Sequence, residues 1–155
     1  MDLRVWPGCL ACYNAGRLVG EWMDASEAAE YRCPVNPTHE EFQCLDHEIP
    51  WISGEIGATT ATEWAEAVAN VEDHEAEAFV IFAKDQGWRS PADVDLENFR
   101  DRYEGEWESA EAHAYELLNQ SGESDKTPGY FMLRFDEVAW QQDFTFDSGH
   151  VFRSY

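Results

Sequence analysis

Two stretches decide the character of this chain: Thr62–Gly87, TEWAEAVANVEDHEAEAFVIFAKDQG, and Glu97–Leu118, ENFRDRYEGEWESAEAHAYELL. From Glu63 to Asp125 there are 18 Asp and Glu against 4 Lys and Arg. These carboxylates alternate with apolar residues at helical spacing, Trp64, Val68 and Val71 falling at i, i+4 and i+7. An acidic tail without such a rhythm cannot bury enough apolar surface to offset chain entropy and stays disordered. Here an apolar stripe can face a core while the charge stands on outward helical faces.

Local start and stop signals divide this region. Thr60 or Thr62 is placed to cap the first helix. A second run, Glu75–Gln86, meets its C-terminal stop at Gly87. Ser90-Pro91 reads as a helix start, and Leu96, Phe99 and Tyr103 mark the buried stripe behind it. Gly105 breaks that segment. Ser109 caps a further helix to Gln120, stopped by Gly122.

Working outward, Leu3–Tyr13 reads as a strand, Asn14-Ala15-Gly16 as a turn, and Arg17–Asp24 as the returning strand of a hairpin. Ala25–Tyr31 is expected to form a short helix capped by Asp24 or Ser26. Cys33–Glu41 is a loop, because Pro34 and Pro37 exclude regular structure. Glu41–His47 has strand alternation, with Phe42, Cys44 and Asp46 on one face. Beyond the acidic region, Ser121–Gly129 reads as a linker and Tyr130–Phe135 as a strand. Asp136 then caps a short helix to about Phe144, and His150–Tyr155 is a last strand after the Asp147–Gly149 turn.

The 155 residues are 44% hydrophobic and 14% aromatic, enough for a core, yet the net charge is −22. Such a surface repels nucleic acid and membranes and attracts basic protein surfaces. The charge is uneven: residues 1–60 carry −7, residues 61–126 carry −13, and residues 127–155 only −2. B-form DNA carries one phosphate charge per about 1.7 Å of axis, so this charge matches roughly 37 Å of duplex, or about 11 base pairs. Adaptation to high salt also produces excess acid, and 2 lysines against 8 arginines fit that alternative. No apolar run approaches the roughly 18 residues of a membrane span. The N-terminal region lacks the basic-then-apolar layout of a signal peptide, which predicts a cytoplasmic protein.

Cys9, Cys12, Cys33 and Cys44, with His39 and His47 nearby, raise the question of metal. In a reducing compartment they are expected to be thiols or ligands rather than disulfides. A Cys-x-x-Cys pair plus two more ligands makes a tetrahedral zinc site, here Cys9, Cys12, Cys33 and Cys44. Against this, the pair lies in an expected strand, where i and i+3 point to opposite faces. Buried cysteine packing as a small apolar side chain is the commoner outcome. No cofactor is required by anything else in the chain. Catalytic patterns are weak: Asp73-His74-Glu75 and Asp46-His47-Glu48 set a histidine beside carboxylates. Among 32 acids that is expected by chance. No catalytic residue is assigned and the chain is not read as an enzyme.

Four segments carry a family resemblance. VWPGCLACYNAGRLVGEWMDA, residues 5–25, resembles the opening of the ArdA-type antirestriction proteins, with its Tyr-Asn-x-Gly-Arg-Leu-x-Gly-x-Trp hairpin. QCLDHE, residues 43–48, is similar to that family's third strand, with His47 where a tyrosine is usual. DLENFRDRYEGEW, residues 95–107, resembles its central Phe-x-x-x-Tyr-x-Gly-Glu segment. FDEVAWQQDFTFDSGHVFRSY, residues 135–155, resembles its ending, shortened before Trp140. Cys9, Cys12, Cys33 and Cys44 are not a requirement of that family, so the resemblance implies no metal.

The resemblance implies an α+β fold, elongated and built of three small subdomains. In this numbering these are a β-rich section with an antiparallel sheet at 1–60, a central helical acidic section at 61–105, and a C-terminal α+β section at 106–155. The last would hold a homodimer interface, suited by its near neutrality. It further implies a DNA mimic that occupies the DNA groove of type I restriction-modification enzymes and protects incoming mobile DNA. The phosphate-mimicking carboxylates would then be Asp24, Glu27, Glu30, Glu40, Glu41, Asp46 and Glu48, followed by Glu63, Glu66, Glu72, Asp73, Glu75, Glu77 and Asp85. The set continues with Asp93, Asp95, Glu97, Asp101, Glu104, Glu106, Glu108, Glu111 and Glu116. The alternative is a zinc-stabilised acidic binding module whose charge reflects only high-salt adaptation.

Overall fold

A computed structural model describes residues 1–122 and Gln141. The sequence expectations for the segments from Glu123 onward, including the final strands and the dimer interface, lie outside the described residues. Backbone contacts group the chain into two compact units, Met1–Asp101 and Arg102–Tyr155, where the sequence reading has three sections. Residues 1–60 and 61–101 fall in one unit because the first long helix is laid against an N-terminal turn.

The first unit begins with an antiparallel sheet of four strands, β1 (Arg4–Cys9), β2 (Met23–Asp24), β3 (Phe42–His47) and β4 (Ile56–Gly57), in the order β2-β1-β3-β4. An interior proline removes a ladder hydrogen bond and is tolerated at bulges. Pro7 obeys this: the β1–β3 register shifts between Trp6 and Pro7, from Trp6 opposite Asp46 to Pro7 opposite Cys44. Leu3 and Val5 point into the core at 2% and 0% exposure.

The expected hairpin is corrected in its second half. The first strand stops at Cys9, and Leu10–Asn14 forms a helical turn, α1. It is closed by Ala15 N–H donating to Ala11 O at 3.2 Å and Arg17 N–H to Cys12 O at 2.9 Å. A five-residue segment has too little periodicity to separate helix from strand. The returning segment meets β1 through the Gly8–Gly20 bridge and Cys9 N–H to Val19 O at 2.9 Å, and pairs as a strand only at Met23–Asp24. Gly20 permits this approach, since a Cβ there would fall on Pro7 O and the Trp6 ring.

Asp24 then caps a 3₁₀ turn at Ala25–Glu30, accepting from Ser26 N at 2.8 Å, as its sequence position predicts. Helix α2 (Ala58–Ala67) lies against that turn. Its N-cap is Gly57, which corrects the expected Thr60 or Thr62. Thr62 is engaged elsewhere: its hydroxyl donates to Ala25 O at 3.0 Å and accepts from Ala29 N at 3.1 Å. Trp64, Val68 and Val71 are all buried, as their spacing predicts.

A 3₁₀ turn at Asp73–Glu75 leads into α3 (Ala76–Gln86), which ends at Gly87 with φ +64°. Ser90 and Asp93 form a capping box on a 3₁₀ turn at Pro91–Asp93, and α4 runs Leu96–Arg102. Phe79 is fully buried, with Trp51, Trp88 and Phe99 at ring distances of 5.6, 5.4 and 5.3 Å. Burying an aromatic side chain of that size contributes about 1.5–3 kcal/mol. Edge-to-face contacts add about 0.5–1.5 kcal/mol per pair. The second unit contains α5 (Ala110–Ser121), capped by Ser109 accepting from Ala112 N at 3.1 Å and ended by Gly122 with φ +70°.

Candidate partner-binding surface and cysteine cluster

The helical pattern that buries Trp64, Val68, Phe79 and Phe99 sends the intervening acids outward. Of the 23 carboxylates named from the sequence, 20 are exposed. In the first unit these are Glu27, Glu30, Glu40, Glu41, Asp46, Glu48, Glu63, Glu66, Glu72, Asp73, Glu77, Asp85, Asp93, Asp95, Glu97 and Asp101. In the second they are Glu104, Glu106, Glu108 and Glu111. Asp24 and Glu116 are half-buried.

Glu75 stands apart and corrects its place in the outward set. It is 5% exposed, and Arg100 Nη2 donates to its Oε1 at 2.6 Å. The same carboxylate accepts from Glu72 N at 3.1 Å. Arg100 hydrogen bonding, set against burial and helped by the Glu72 amide, holds its pKa below the usual carboxylate range. Glu75 is therefore engaged inside the fold, with its carboxylate turned away from the surface.

Charge in the first unit is mostly uncompensated. It holds 21 Asp and Glu against 6 Lys and Arg, so pairing every base would leave 15 acids unmatched. Three carboxylates, Asp24, Glu75 and Asp93, have pKa values moved, all downward. Ser26 hydroxyl and amide lower Asp24, and the Arg89 and Ser90 amides lower Asp93. Lowering keeps these groups ionised, whereas a general acid needs the opposite direction.

A second constellation lies beside the sheet. Cys9 ends β1 and Cys12 sits in α1, so the helical turn that displaced the expected strand brings both sulfurs to one side. Cys33 and His39 come from the proline-containing loop after the first 3₁₀ turn. Cys9 Sγ lies 3.2 Å from His39 Nδ1, Cys12 Sγ lies 3.6 Å from the same nitrogen, and Cys12 and Cys33 sulfurs are 3.7 Å apart. The four atoms all lie within 4.8 Å of one another.

The cysteines are buried and His39 is half-buried. Burial raises the Cys12 thiol, helped by hydrogen bonds with Cys9 and Cys33. Burial acts the same way on Cys33, but the Asn36 and Val35 amides and the His39 and Cys9 contacts outweigh it and move that thiol downward.

Of the four cysteines named from the sequence, the structure brings together Cys9, Cys12 and Cys33 but not Cys44. Cys44 lies in β3 outside this group, and burial alone pushes it up to about 11, an inert apolar thiol. His39 takes the fourth position. The sequence signal that could have selected it is a Cys-Pro start followed by histidine six residues on, within a loop that must fold back on itself.

No helix among the described residues is long and apolar enough to cross a membrane. No curated protein matches the chain, and no solved structure does. The family model described as Antirestriction protein (ArdA) matches residues 5–154. The acidic helices and all of the N-terminal sheet but Arg4 fall inside that match. The chain belongs to the ArdA family of antirestriction proteins.

Proposed function

We propose that this protein is an antirestriction inhibitor that works as a DNA mimic, occupying the DNA groove of a type I restriction-modification enzyme in the cytoplasm. The observation that carries the reading is the excess of exposed, uncompensated carboxylates in a chain of this family. Its carboxylates stand in for phosphates, and the partner's Arg and Lys pair with them in a salt-sensitive contact. Inhibition of this kind needs no catalytic step, and the protection extends to incoming mobile DNA. The near-neutral section after residue 126 joins two copies, because like charges at a dimer contact would repel.

The test is inhibition of a purified type I enzyme by the protein and by a variant with Glu63, Glu66, Asp101, Glu104, Glu108 and Glu111 all changed to Lys. Inhibition by the parent and none by the folded variant is the expected result. Equal inhibition by both would sink the idea. Running the methylation reaction alongside shows whether modification is blocked together with cleavage. The reading of a zinc-stabilised module that is acidic only through salt adaptation is not favoured, since the family match spans nearly the whole chain.

A further inference from the structure

We propose that Cys9, Cys12, Cys33 and His39 bind one zinc ion, a structural site that anchors the loop between Tyr31 and Glu41 to the end of β1. Zinc–sulfur bonds of about 2.3 Å and zinc–nitrogen bonds of about 2.0–2.1 Å define a tetrahedron. Its sulfur–sulfur edges are about 3.8 Å and its sulfur–nitrogen edges about 3.5–3.6 Å. The observed edges are 3.7 Å for Cys12–Cys33, 3.6 Å for Cys12–His39 and 3.2 Å for Cys9–His39. These three of the six edges lie within about 0.4 Å of the ideal values, and no pair of the four atoms is more than 4.8 Å apart, so the set can close around one ion with shifts of an ångström or less.

Packing of thiols as small apolar groups would explain buried sulfurs in contact. It does not explain an imidazole nitrogen directed at two of them. Soft thiolates with one imidazole select zinc over magnesium or calcium.

The sequence separations give the site its structural value. Cys9 and Cys12 belong to the sheet and its following turn, whereas Cys33 and His39 bracket Pro34 and Pro37 in a loop without regular structure. One ion joins the two segments. Three thiolates, a neutral imidazole and Zn²⁺ sum to a single negative charge, so metal binding leaves the acidic character intact. Glu40 and Glu41, next to His39 and both exposed, are held in place by the same closure.

The test uses the full chain, untagged and kept reduced, incubated with zinc and freed of excess by gel filtration. One zinc per chain is expected by elemental analysis. Cobalt added to the metal-free protein is expected to give thiolate charge-transfer and tetrahedral ligand-field bands that zinc abolishes. Cys44→Ala is expected to keep the metal, and His39→Ala to lose at least tenfold in zinc affinity. The cobalt titration of the unmutated protein decides the matter if His39→Ala fails to fold. A folded parent chain with no retained zinc and no cobalt bands would overturn the site, as would equal zinc loss in Cys44→Ala and His39→Ala.

Discussion

Arg100 Nη2 and Glu75 Oε1 meet at 2.6 Å, tying α4 to the turn that opens α3. The same Nη2 donates to Asn70 O at 2.8 Å, so one guanidinium braces two neighbouring backbone turns. In a chain this acidic, it also removes one carboxylate from the surface and uses it for folding.

Glu75→Gln should lower stability by about 1.5–3 kcal/mol, the range for losing a hydrogen bond to a charged group. Urea unfolding followed by tryptophan fluorescence measures it. Because the folded pKa is depressed below 4.5, the contribution is present above the unfolded carboxylate value and fades as pH falls through the folded one. The gap between parent and variant should therefore be widest at neutral pH and shrink below about pH 4.5. A gap independent of pH would mean that the carboxylate does not act through its charge.

Phe79→Ala should destabilise the first unit by about 3–5 kcal/mol, since a fully buried ring is removed from among other aromatics. Loss of near-ultraviolet dichroism at lower urea than in the parent would register it. Phe82, half-buried beside the same cluster and 5.6 Å from the Trp88 ring, should cost less on the same change.

Gly20→Ala should be destabilising by about 1–3 kcal/mol, as an added methyl must displace Pro7 O and the Trp6 ring. Gly16→Ala tests a different cause. Nothing stands within 4 Å of its would-be Cβ, but φ is +76°, so the cost is backbone strain alone. Thermal unfolding of the two variants separates packing from strain, with Gly20→Ala expected to be the worse.

Inhibition of a type I enzyme should weaken steeply between roughly 0.05 and 0.5 M salt, because screening shortens the reach of exposed charges. Single changes such as Glu63→Gln should alter inhibition by less than about threefold, as the contact is spread over many carboxylates. Inhibition that is flat with salt while protein stability rises with it would argue for salt adaptation.

What sequence alone determined was mostly local. Asp24, Ser90 and Ser109 as caps, and Gly87 and Gly122 as stops, were legible because each acts on backbone groups within a few residues. The spacing of Trp64, Val68 and Val71 predicted their burial for the same reason, helical geometry being periodic. The exposure of most acids follows from that periodicity, since residues between buried positions face water. The tertiary structure decided what depends on distant partners. Whether Glu75 faces out or in rests on Arg100, 25 residues away. The fourth member of the cysteine cluster is His39 rather than Cys44 because the loop crosses back over α1, which no spacing within either segment encodes. The extent of the returning strand was hidden likewise: five residues after Cys9 suit either a strand or a helical turn, and the choice is made by the hydrogen bonds that the folded chain can close.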